Sequence, residues 1–109
     1  MTGQDLEIIQ QKLRDSMENS NMNAFEQENQ YHEKIRDYEV ELAKKILELR
    51  ADGMQISIVE KVAKGDPHIA QLKFEAGLAE ASARASKENI NIKKKVFESI
   101  ENTKKRELG

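Results

Sequence analysis

Apolar residues recur along this chain at steps of three and four, the spacing that lines one face of an α-helix. In residues 4–18, QDLEIIQQKLRDSME, the stripe is Leu6, Ile9, Leu13 and Met17, which predicts a first amphipathic helix. The following NSNMN reads as a breaker, because Asn and Ser side chains compete for backbone hydrogen bonds. Residues 1–22 are therefore expected to be an N-terminal helix with an Asn-rich hinge, and residues 23–109 a helical hairpin domain.

A second helix is predicted from about Ala24 to Asp52, with Tyr31, Ile35, Tyr38, Leu42, Ile46 and Leu49 on its main stripe. Val40, Ala43 and Leu47 form a weaker stripe that leaves surface for a further partner. Gly53 stands where a left-handed helix cap is expected. In MQISIVEKVAKGD, Ser57 followed by Glu60 has the spacing of a capping box, so a short helix over 58–64 is preferred to a β-branched strand at 56–59. Gly65 ends that segment, Asp66 caps the next helix and Pro67 takes its first position.

The last helix is expected from Pro67 to about Arg106. Its stripe is Ile69, Leu72, Ala76, Ala79, Ala83, Ser86, Ile90, Lys93, Phe97 and Ile100. Large residues at both ends with small ones over residues 76–86 suit two backbones that approach closely in the middle. The competing reading is a run of good helix formers that touches nothing. An antiparallel hairpin of the two long helices leaves Ile90, Ile92, Val96, Phe97 and Ile100 on an overhang. Cover for it could come from the N-terminal helix folding back or from a second copy. The expected fold is thus all-α: a long antiparallel hairpin with an extra N-terminal helix and a short connector helix, assembled as a dimeric bundle.

Composition agrees with long solvated helices carrying narrow seams. Of 109 residues, 38% are hydrophobic and 35% charged, with one proline and a net charge of −2. Disorder also favours high charge, but it goes with large net charge and lost periodicity. The absence of cysteine excludes disulfides, thiolate metal sites and a cysteine nucleophile. No apolar run is long enough for a membrane span, so a cytoplasmic protein is expected. Residues 1–60 hold seven Lys/Arg and thirteen Asp/Glu, whereas residues 61–109 hold eleven and seven. An acidic and a basic half suggest mutual attraction, within a chain or between chains.

Little in the sequence carries chemistry. His32 follows Glu28 by four residues, but a carboxylate-bridged metal site in a bundle needs four to six convergent ligands. His68 is expected on the surface. No phosphate-binding loop, dinucleotide fingerprint or serine nucleophile motif occurs. AKGD precedes a helix N-terminus that could hold an anion, yet Asp66 would repel it. The basic feature is Lys93, Lys94 and Lys95 followed by Lys104, Lys105 and Arg106, candidate contacts for nucleic-acid phosphates. Favourable interaction with the helix dipole explains the same charges. Phe97 alone interleaves them, so no base-stacking platform is evident. A helix-turn-helix over residues 54–77 is disfavoured by Pro67 and the length of the following helix.

From about Glu39 to Ile100 the chain resembles small helical-hairpin accessory proteins encoded by temperate phages of Gram-positive bacteria. The pieces that carry the resemblance are ELAKKILELRADGM, ISIVEKVAKGD and PHIAQLKFEAGLAEA. It implies a non-enzymatic adaptor or inhibitor of a host, replication or defence protein, of which an anti-CRISPR factor would be one form. The partners expected are a second copy and an unidentified protein. Nucleic acid bound at the lysine clusters is the alternative, with no cofactor, metal, membrane or small-molecule substrate.

Overall fold

In the computed structural model, residues 2–108 are described, Leu108 for its backbone alone. They form three helices, α1 over Gly3–Ala51, α2 over Ile56–Lys64 and α3 over Pro67–Leu108, with no strand among the described residues. The protein is all-α.

One element departs from expectation. The chain does not break at NSNMN: α1 continues through it, so the extra N-terminal helix and the following one are a single helix. The boundary expected between residues 22 and 23 falls inside that helix. The reason lies in which face each residue occupies. Ser20 and Ala24 continue the seam, half-buried and buried respectively, while Asn19, Asn21 and Asn23 are exposed. The Asn23 side-chain oxygen accepts a hydrogen bond from the Gln27 side-chain amide at 3.3 Å. Asn costs a helix only a few tenths of a kcal/mol relative to a good former, roughly, so packing of the intervening seam decides.

The helix ends are locally determined. At the start of α1 the Thr2 hydroxyl accepts from the Asp5 backbone N–H at 3.2 Å, and the Thr2 N–H and hydroxyl both donate to the Asp5 carboxylate. This reciprocal arrangement is a capping box, with Asp in the place more often taken by Glu or Gln. At the other end, Gly53 adopts φ +95°; its N–H bonds the Arg50 carbonyl and the Met54 N–H bonds that of Leu49. These are the two bonds of a Schellman motif, and the left-handed residue it requires is the expected glycine.

The short segment after it is a helix rather than a strand, and Ser57 does not cap it. The capping position is Gln55, whose backbone carbonyl accepts from Ile58 and Val59. Ser57 lies inside the first turn, and Glu60 reaches forward to Lys64 at 2.8 Å. The start of α3 is as read: the Asp66 carboxylate accepts from the backbone N–H groups of His68 at 2.9 Å and Ile69 at 3.3 Å, with Pro67 at the first position.

The described residues divide into two compact units, one of residues 2–27 with 83–108 and the other Glu28–Ser82. In the Glu28–Ser82 unit, α1 and α3 run antiparallel and are joined through α2. Tyr31, Ile35, Tyr38, Leu42, Ile46 and Leu49 are half-buried along α1. Val59 and Ala63 of α2 and Ile69 and Ala76 of α3 are buried, with Leu72 and Ala79 half-buried. Gly77 contributes nothing to close approach, since a methyl group added there would meet no atom within 4 Å.

In the other unit, Leu6, Gln10 and Ala24 of α1 are buried together with Ala83 and Ile90 of α3. Ser86, Lys93, Phe97 and Ile100 are half-buried. Part of the expected overhang is therefore covered by residues 2–27, which do so as a continuation of α1 rather than by folding back. Ile92 and Val96 stay exposed.

Candidate functional site

Six basic residues near the C-terminus are the main candidates for ligand contact, and their surroundings divide them. Lys93 is half-buried, and its ammonium donates to the Ser20 hydroxyl at 2.6 Å. Lys104, with a side chain 17% exposed, donates to the Gln10 side-chain oxygen at 2.9 Å and lies 3.9 Å from the Glu7 carboxylate. These two ammonium groups are engaged in joining α1 to α3. Lys94, Lys95, Lys105 and Arg106 are exposed. Eleven residues, just over three turns, separate Lys94 from Lys105 and Lys95 from Arg106, so each pair shares a face about 16 Å apart. The Arg106 guanidinium lies 3.5 Å from the Thr103 hydroxyl.

Around the two engaged lysines the helix pair is held by polar groups. Gln10, only 2% exposed, accepts from Lys104 and donates its amide to the Glu101 carboxylate at 2.7 Å. The Ser86 hydroxyl donates to the Gln27 side-chain oxygen at 2.9 Å. Arg14 sits over the Phe97 ring, 5.4 Å from its centroid, a cation–π geometry. None of Gln10, Ser20 or Gln27 was singled out from the sequence. Their signal was the continuation of the heptad through polar residues, which a search for apolar positions passes over.

The attraction expected between an acidic and a basic half holds locally and with a twist. In the unit of residues 2–27 and 83–108, the cation comes from α3 and the anion from α1, as in Lys104 with Glu7. In the Glu28–Ser82 unit the sense is reversed. Lys34 of α1 meets Glu75 of α3 at 3.6 Å, and Lys45 meets Asp66 at 3.5 Å. Each of these pairs keeps at least one partly solvated partner and contributes about 0–1 kcal/mol, so they add little stability.

Of the remaining candidates, His32 is exposed and lies 4.0 Å from Glu28, and no group of three or more metal-ligating side chains occurs among the described residues. His68 is exposed. At AKGD the Lys64 ammonium is committed to Glu60, whose hydrogen bond raises the lysine pKa and lowers that of the carboxyl. The Asp66 carboxyl is held below its ordinary range, first by the Ile69 N–H, then by the His68 N–H and the charge of Lys45. An anion at that helix start would displace the cap.

The other notable surface is apolar. Phe74 and Leu78, one turn apart on α3, are 60% and 55% exposed. Both point away from the stripe of Ile69, Leu72, Ala76 and Ala79, whose positions are occupied by packing. Val40 and Leu47 on α1, and Ile58 and Val62 on α2, are also exposed. No helix among the described residues is long and apolar enough to cross a membrane. Compared with protein-family models, curated proteins and solved structures, the chain matches none.

Proposed function

We propose that the chain acts by protein–protein contact, as a homodimeric helical adaptor or inhibitor without catalytic activity of its own. The observation that supports this is the outward pair Phe74 and Leu78 on a helix whose inner stripe is already buried. Large apolar side chains one turn apart are the anchors by which amphipathic helices dock. The resemblance of residues 39–100 to phage accessory proteins supplies a setting in which the target is a host, replication or defence protein of a Gram-positive bacterium. Light scattering on the purified chain tests the dimer. The double variant Phe74→Lys with Leu78→Lys is expected to remain helical and to become monomeric, or to lose a protein captured from nuclease-treated lysate. A variant that keeps both its mass and its captured protein refutes the assignment of this face.

A second reading rests on Lys94, Lys95, Lys105 and Arg106, which are exposed and paired by face. Contacts from four cations to phosphates would give a slope of log affinity against log salt near −4, roughly, and no sequence preference. Fluorescence anisotropy with duplex DNA at two salt concentrations tests it. Neutralising these four residues is expected to abolish binding, whereas neutralising Lys93 and Lys104 is expected to perturb the helix pair instead.

A further inference from the structure

The two units are held together by different chemistry. Along the seam of residues 2–27 with 83–108, α1 presents Gln10, Ser20 and Gln27 among Leu6, Leu13, Met17 and Ala24, and α3 presents Ser86, Lys93 and Lys104 among Ile90, Phe97 and Ile100. The seam positions of Glu28–Ser82 are aliphatic, alanine or tyrosine apart from the half-buried Lys45, which pairs with Asp66, and Val59 and Ala63 of α2 are added. Ordering the backbone costs the same per residue in both. The polar seam replaces apolar burial with hydrogen bonds that were already available from water, for a net return of about 1 kcal/mol each.

The polar contacts nevertheless allow one alignment. From Gln10 to Ser20 to Gln27, α1 advances ten and seven residues, while Lys104, Lys93 and Ser86 step back eleven and seven. Sliding α3 by one heptad would set Gln10 against Lys94 and Phe97 in place of Glu101 and Lys104. Its buried amide N–H would then lack an acceptor, a penalty of about 1–3 kcal/mol. Sliding is thus disfavoured, and separation, in which every polar group returns to water, is the accessible excursion. These contacts also bridge 59 to 94 residues of sequence, against 21 and 41 for the ion pairs Lys45–Asp66 and Lys34–Glu75.

We propose that residues 2–27 and 83–108 are a separately opening half of this molecule: their two helical segments part together, in register, while Glu28–Ser82 stays folded. Opening exposes Leu6, Leu13 and Met17 on one segment and Ile90, Phe97 and Ile100 on the other. Gln10 is the key that makes reclosure unique.

Hydrogen exchange followed by mass spectrometry on the full chain tests this. The slowest amides of 3–27 and 83–108 are expected to exchange about tenfold faster than the slowest of 28–82, and at a common rate in both segments. One slowest rate throughout the chain would overturn the proposal. Gln10→Ala, which removes the Glu101 contact and one of the two partners of Lys104, is expected to speed exchange about tenfold further in both segments and leave 28–82 unchanged. Equal acceleration everywhere, or an effect confined to the peptide containing residue 10, would overturn it too. Should that variant fail to fold, the wild-type rates decide alone.

Discussion

Two helix pairs built by the same two helices differ in what lies between them. In Glu28–Ser82 the seam is Tyr31, Ile35, Tyr38, Leu42, Ile46 and Leu49 with Ile69, Leu72, Ala76 and Ala79, and α2 adds Val59 and the fully enclosed Ala63. In residues 2–27 with 83–108 the seam alternates apolar residues with Gln10, Ser20, Gln27, Ser86, Lys93 and Lys104. A third element covers the first unit, whereas the second has α1 and α3 alone. The difference separates two jobs that packing does at once elsewhere. Apolar burial supplies stability with loose demands on alignment, and buried hydrogen bonds supply alignment with little stability.

The strongest way to break this comparison is the same truncation in both units. Ile69→Ala, at a site 2% exposed, is expected to cost about 3 kcal/mol by urea denaturation. Ile90→Ala, at a site 8% exposed, is expected to cost about 2 kcal/mol or less. Its effect on exchange should be confined to residues 2–27 and 83–108. Equal costs, with Ile90→Ala loosening the whole chain, would mean that both seams stabilise alike.

A smaller effect comes from filling the thin part of α3. Ala83 is buried at 6% exposure, and Ala83→Leu is expected to destabilise by about 1–3 kcal/mol through overpacking. Unchanged melting would show that the helices do not approach closely at that point. Gly77→Ala should act in the other direction, because the added methyl group meets nothing and alanine is the better helix former. A gain of about 0.5–1 kcal/mol in Glu28–Ser82 is expected, and a loss would reveal a contact at that surface.

The smallest effect concerns the cap of α3. Because the folded state lowers the Asp66 pKa, its contribution is present above the ordinary aspartate range and is lost as pH falls through the lowered value. Asp66→Asn keeps a capping acceptor without the titration. Thermal melts between about pH 5 and pH 3 should therefore fall less steeply for the variant than for the parent. Parallel slopes would show that the cap does not depend on charge.

Much of the fold was legible because helix seams repeat. Every residue of the stripe from Ile69 to Ile100 is buried or half-buried, and Gly53 and Asp66 occupy the ends at which their backbone and side-chain chemistry is useful. The errors have a common cause. By composition NSNMN is a breaker, although its seam position Ser20 and the adjoining Ala24 are compatible with a helix once another helix covers them. Spacing makes Ser57 a cap, but the backbone turns into α2 two residues earlier, at Gln55. Among the lysines, the distinction between Lys93 and Lys94 is one of face, and a cluster read as a cluster conceals it.

By itself the sequence determined the class of the protein, the stripe of α3, and the helix ends at Gly53 and Asp66, because periodicity, glycine conformation and side-chain caps act over a few residues. Only the tertiary structure decided that α1 is unbroken, that Gln10 is buried between Glu101 and Lys104, and that Lys93 and Lys104 join helices instead of facing solvent. Those outcomes depend on what lies opposite a residue 59 to 94 positions away. No local preference carries that information; the fit of one helix against another does.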